Sequence, residues 1–137
     1  MEDGDIAARQ PSNRVNRLSA RFWAGPPRAV DRSLRHGDEV GDFTVIETPG
    51  HSAGHVAYWR ESDRVLIVGD VFFGCHPLTG IPGLHMPPDF FTPDPARNRR
   101  SARELAALDP ALVCFGHGPP LRDTGKLQEF AAGLADD

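Results

Sequence analysis

Three residues in this sequence could together hold a metal ion: His51, Asp70 and His117. Neutral imidazole and carboxylate are the usual protein ligands of zinc and of other borderline first-row ions. Each sits at a glycine-flanked turn, in Pro49-Gly50-His51, Gly69-Asp70 and Gly116-His117-Gly118. They lie too far apart along the chain to share one helix face. They can meet if three strands of one sheet end on the same edge, because glycine allows tight turns and close backbone approach. Asp70 is the most telling of the three. It interrupts an apolar run over residues 65–73, and a carboxylate in such a setting needs a cation or several hydrogen-bond donors. Singly, each residue has an ordinary structural explanation, as a loop histidine or a turn-capping aspartate. In this order, each with its turn, they point to a metal site.

The elements that must position these residues can be read from the apolar pattern. Residues 43–48 are β-branched and alternating, and Pro49-Gly50 ends the run, which predicts a strand. Residues 56–60 and 64–68 flank the polar turn Glu61-Ser62-Asp63 and read as a hairpin with a buried second strand. Residues 71–94 form a long stretch rich in Pro and Gly, expected to be a functional loop. Asp94-Pro95 has the form of an N-cap followed by proline at the first helical position, opening a helix to about Leu108 with Ala102, Leu105 and Ala106 inward. Residues 111–115 form a short apolar strand. A last helix begins near Thr124, with Leu127, Phe130, Ala131 and Leu134 on one face. Ahead of all this, residues 1–12 are polar and aperiodic, and Val15, Leu18 and Phe22 suggest a short amphipathic helix over residues 13–23. The expected division is a polar segment with a short helix over 1–40 and a folded unit over 41–137.

Other chemistry-bearing residues have two readings each. His55 follows His51 by four residues, but flanking glycines and the strand that follows argue against a helical zinc pair, leaving a direct ligand or a supporting, strand-start role. Cys75-His76 and His85-Met86 could form a soft metal site or line a substrate pocket with Phe72, Phe73, Phe90 and Phe91. Cys114 reads as a buried packing residue. Arg97, Arg99, Arg100 and Arg103 could meet an anionic substrate or simply form a solvated helix face.

Composition bounds the class. The length suits one domain. A formal net charge of −4 argues against a nucleic-acid binder. No apolar run suits a membrane span or a signal peptide, and two cysteines make no disulfide framework, so a cytoplasmic setting is expected.

The motifs Thr48-Pro49-Gly50-His51, Gly69-Asp70 and Gly116-His117-Gly118 resemble the third to fifth motifs of the metallo-β-lactamase superfamily, over residues 41–121 or so. The resemblance implies an α/β fold, the second half of an αββα sandwich with a mixed sheet and flanking helices. It implies one or two metals, Zn2+ foremost with Fe or Mn as alternatives, and hydrolysis of small-molecule esters, thioesters or lactones by metal-activated water. It assigns His51 to the first metal, Asp70 to a catalytic position bridging two metals, and His117 to the second. The family's first motif, His-x-His-x-Asp-His, does not occur in this sequence. The expectation is therefore a truncated hydrolase, inactive alone and binding metal weakly, which self-associates or takes up a complementary N-terminal half. The alternatives are a nonenzymatic remnant or interaction subunit, and a phosphodiesterase or nuclease of the same superfamily.

Overall fold

The computed structural model describes residues 30–135. The helix expected over residues 13–23 and the polar segment before it lie outside the described residues. Five strands form one sheet: β1 (Glu39–Val40), β2 (Phe43–Glu47), β3 (Val56–Arg60), β4 (Val65–Gly69) and, from later in the chain, β7 (Leu112–Phe115). Their spatial order is β1-β2-β3-β4-β7. The first three pairings are antiparallel and β4–β7 is parallel. The short β1 was hidden from the sequence because its two residues, both exposed, carry no apolar alternation.

The stretch over 71–94 is not one loop. It contains β5 (Phe73–Cys75) and β6 (Pro82–His85), an antiparallel pair forming a second small sheet, and a 3₁₀ turn at Asp89–Phe91. These strands are too short and too rich in Pro and Gly to show a two-residue period.

Two helices follow, α1 (Pro95–Ala106) and α2 (Gly125–Ala132). Asp94 caps α1, its Oδ1 accepting from the Arg97 amide at 2.9 Å, and Pro95 occupies the first turn where its missing N–H costs nothing. Both helices cover one face of the sheet. The register Trp59↔Leu66↔Val113 lies on that face, and Leu66 and Val113 are fully buried with Leu105, Ala106 and Leu127. Val45, Tyr58, Ile67 and Cys114 share the opposite face. Strand β4 therefore alternates: Leu66 and Val68 are fully buried, while Val65 and Ile67 are only half-buried. The uniformly buried second strand expected from its apolar run is corrected accordingly. Cys114 is likewise half-buried rather than a core residue.

Candidate metal centre

Strand direction decides which residues can meet. Because β3 runs against both β2 and β4, and β7 runs with β4, the C-terminal ends of β2, β4 and β7 emerge on one edge of the sheet. Beyond those ends lie His51, Asp70 and His117, and β3 starts on the same edge just after His55. The four side chains line a single cavity of about 780 Å³.

The glycines beside these residues have specific steric reasons. A Cβ on Gly50, which has φ +139°, would collide with the backbone of Asn98 in the first turn of α1. Ser101 of the same helix donates from Oγ to the Pro49 carbonyl at 2.9 Å, and Asn98 donates from Nδ2 to the Val71 carbonyl at 2.8 Å. Helix α1 thus grips the turn before His51 and the segment after Asp70. A Cβ on Gly116 would overlap Asp70 Oδ1, and the Gly116 amide donates to the Gly69 carbonyl at 2.8 Å.

Asp70 Oδ1 is buried and accepts no hydrogen bond. His117 Nε2 stands 3.6 Å from it, too long for a hydrogen bond. His51 Nδ1 is also buried without a partner. Burial lowers the pKa of His51; Asp70 opposes that shift and His117 adds to it. The ring is thereby favoured in its neutral, ligand-competent form. His117 is mostly exposed and stands edge-on to Phe73, ring centres 5.1 Å apart.

These features fit a metal in donor chemistry, with two imidazoles, a carboxylate and two orphaned buried atoms. They do not fit a closed mononuclear shell, for among the described residues no three His, Cys, Asp or Glu side chains converge on one point.

Both ring nitrogens of His55 have protein partners, which favours the supporting role over a ligand position. Its Nε2 lies 3.1 Å from the Asp70 amide, and its Nδ1 is 2.8 Å from Thr48 Oγ1. Its ring stands perpendicular to His51, with centres 6.1 Å apart. Burial lowers its pKa, and His51 adds to that effect while Asp70 opposes it. The participation of Thr48, fully buried, was not visible in the sequence, where it reads as the last residue of a strand.

The family model described as the Metallo-beta-lactamase superfamily matches residues 5–117. The chain belongs to the metallo-β-lactamase superfamily. It is 39% identical over 93 residues to the probable metallo-hydrolase YflN of Bacillus subtilis, covering 64% of this chain and 34% of that protein. It is 50% identical over 49 residues to a hydroxyacylglutathione hydrolase of Bdellovibrio bacteriovorus, covering 33% of this chain and 20% of the relative. Among solved structures it resembles TTHA1623 in a di-iron-bound form, at 30% identity and TM-score 0.62, over 79% of this chain and 52% of that one. It also resembles the B3 metallo-β-lactamase BLEG-1, at 27% identity and TM-score 0.62, over 85% and 57% of the two chains. The chain spans about a third or less of the length of these two curated relatives.

The remaining chemistry-bearing residues of this superfamily member sort cleanly. Cys75 and His76 line the cavity. His76 faces His85 edge-on at 5.1 Å, while its Nδ1 accepts from the amides of Leu78 and Thr79 at 3.4 and 3.3 Å. Those bonds place the ring proton of neutral His76 on Nε2, which disfavours a ligand role and supports the pocket reading. Phe73, Phe90 and Phe91 line the cavity as expected, but Phe72 does not. It is fully buried against Phe115 and Phe130, because neighbouring side chains at a strand entrance point to opposite sides. The arginine cluster is not one free patch, since Arg103 donates to the carbonyls of Leu134 and Ala135. Among the described residues no helix is long and apolar enough to cross a membrane.

Proposed function

We propose that this chain carries part of the active centre of a metallo-hydrolase, with His51, Asp70 and His117 as metal ligands. The observation that carries this reading is the buried, unpartnered Asp70 Oδ1 beside His117, on the edge and in the cavity that also hold His51. By the resemblance to the family, His51 and His117 would serve different ions and Asp70 both. Zinc suits these donors, and iron or manganese are the alternatives; one of the similar structures is a di-iron form. When bound, the metal would polarise a carbonyl and bring the pKa of water towards neutrality.

The chain's own residues shape the rest. Phe73, Phe90 and Phe91 give the cavity an apolar wall suited to the acyl part of a small ester, thioester or lactone. Phe90 and Phe91 pack at a tilt, ring centres 4.4 Å apart, and both are exposed, so that a bound substrate would cover them and exclude water. Relatives named hydroxyacylglutathione hydrolase support thioester chemistry.

Three donors without a common focus are an incomplete set for two ions. We therefore assign the missing ligands to a segment bearing His-x-His-x-Asp-His, which residues 1–137 do not contain. A complementary segment of that kind is the proposed partner, in a cytoplasmic setting compatible with the free thiols Cys75 and Cys114.

The test has two stages. Zinc and iron content is measured after purification without added metal, for the wild type and for His51→Ala and His117→Ala. Weak, substoichiometric metal reduced in both variants is expected. Then the His-x-His-x-Asp-His segment is supplied and hydrolysis of generic thioesters and lactones is followed. Activity that appears with the segment and vanishes with chelator supports the reading. Chelator-resistant activity, or none with the complete ligand set, refutes it.

A further inference from the structure

We infer that His55 is a positioning residue: with Thr48 it forms a brace that holds the Asp70 backbone and so aims the Asp70 carboxylate into the cavity. The inference rests on the metal-centre reading above for its purpose, but on hydrogen-bond logic for its existence.

A backbone N–H can only donate. The Asp70 amide lies 3.1 Å from His55 Nε2, so that nitrogen must be the unprotonated one. In the neutral ring the proton then sits on Nδ1, which donates to Thr48 Oγ1 at 2.8 Å. Thr48 is fully buried, so its hydroxyl has no water to turn to. Main-chain bonding repeats the link, the Thr48 amide donating to the His55 carbonyl at 2.9 Å. The loop that carries His51 is therefore closed at its base by both backbone and side chain of the same residue pair.

The space for the ring is built into β4. Gly69 has φ +57°, and a Cβ there would stand 2.8 Å from His55 Nε2. At this point the pairing with β7 also shifts register, between Ile67 and Gly69. The strand thus leaves its ladder where the imidazole takes over the Asp70 amide. On the other side, the Gly116 amide holds the Gly69 carbonyl. The Gly69–Asp70 peptide is fixed at both of its polar groups, one by His55 and one by the turn that carries His117. One ring consequently ties the end of β2, the start of β3 and the end of β4, and sets how Asp70 stands relative to His51. Supporting groups of this kind commonly influence metal affinity without touching the ion.

The test uses the chain of residues 1–137 and four variants: His55→Leu, His55→Gln, Thr48→Val and Thr48→Ser. Nitrogen-15 spectra of the metal-free wild type report the His55 tautomer and the Asp70 amide, and zinc alone is then titrated. The expected wild-type result is an Nδ1–H imidazole and a downfield Asp70 amide proton. His55→Leu and Thr48→Val should move that amide signal and weaken zinc binding by about tenfold or more. His55→Gln offers an amide oxygen to Asp70, and Thr48→Ser keeps the hydroxyl, so both should stay within about threefold of wild type. Melting temperatures separate the effects: a purely structural role would lower stability in His55→Leu while leaving zinc affinity of the folded protein unchanged. That outcome, or an Nε2–H tautomer in the wild type, overturns the inference. If the wild type binds no zinc at all, the metal-centre reading fails; the brace then stands or falls on the tautomer and on the response of the Asp70 amide to Thr48→Val.

Discussion

Asp70 shows how a single residue can be a poor choice for stability and a good one for chemistry. Its Oδ1 is buried with no donor, an arrangement that costs folding free energy unless a cation arrives. Asp70→Asn should leave the metal-free chain at least as stable as the wild type, because a carboxylate with one oxygen buried and unpartnered is gone, while zinc binding falls below detection. Melting in chelator and zinc titration of the same variant check both halves of that expectation. Two of the three histidines at the edge, His51 and His55, set a pH dependence. Burial holds His51 and His55 below their ordinary value of about 6.5. Between that value and their folded values, the unfolded chain binds more protons than the folded one. The stability tied to their neutral forms is therefore complete above about pH 6.5 and is lost as pH falls through the folded pKa values. Chemical denaturation of metal-free protein at stepped pH should show the decline beginning below about pH 6.5, and it should be smaller in His51→Ala.

At the scale of elements, α1 does more than cover the sheet. Its first turn abuts Gly50, Ser101 holds Pro49, and Asn98 holds Val71, so the helix sets the turns flanking two of the proposed ligands. The Pro-Gly-His motif is thus partly a helix-docking motif. Gly50→Ala would put a methyl group into the α1 backbone and strain a φ of +139°. Asp94→Ala removes only a cap, worth about 1 kcal/mol. Gly50→Ala should therefore destabilise the fold by clearly more than Asp94→Ala, read as the difference in denaturant midpoints at equal m-value.

For the whole molecule, the two faces of the sheet are unequal. On β4 the helix-covered face is sealed by Leu66 and Val68; the opposite face buries Val45 fully but presents half-buried Val65 and Ile67 beside Tyr58 and Cys114. Apolar surface of this kind favours association. Sedimentation over rising protein concentration should show self-association, and Ile67→Lys should shift the population towards monomer. Leu66→Ala offers the contrast: a cavity costing about 2–5 kcal/mol, seen as a lower melting temperature, with association of the folded protein unchanged. Concentration-independent monomer in the wild type would count against an open second face.

The sequence by itself located to within a residue the strands expected over 43–48, 56–60 and 64–68 and the capped helix start at Asp94-Pro95, and identified the family, because these rest on local signals: alternation, β-branching, capping chemistry and glycine-flanked motifs. It also named the residues now proposed as ligands. Tertiary structure decided what local signals do not encode. Antiparallel β2–β3–β4 pairing followed by a parallel β7 is what brings three distant turns to one edge. The small β5–β6 sheet forms from residues whose sequence reads as loop, because its pairing draws on contacts across the turn rather than on periodicity. Phe72 turned into the helix-covered core and Phe73, also buried, towards the cavity, since position on the backbone, not residue type, fixes the side a chain faces. The His55–Thr48 pairing and the register of Asp70 above it depend on the hydrogen-bonding demand of a single amide, which exists only once β2, β3 and β4 lie side by side.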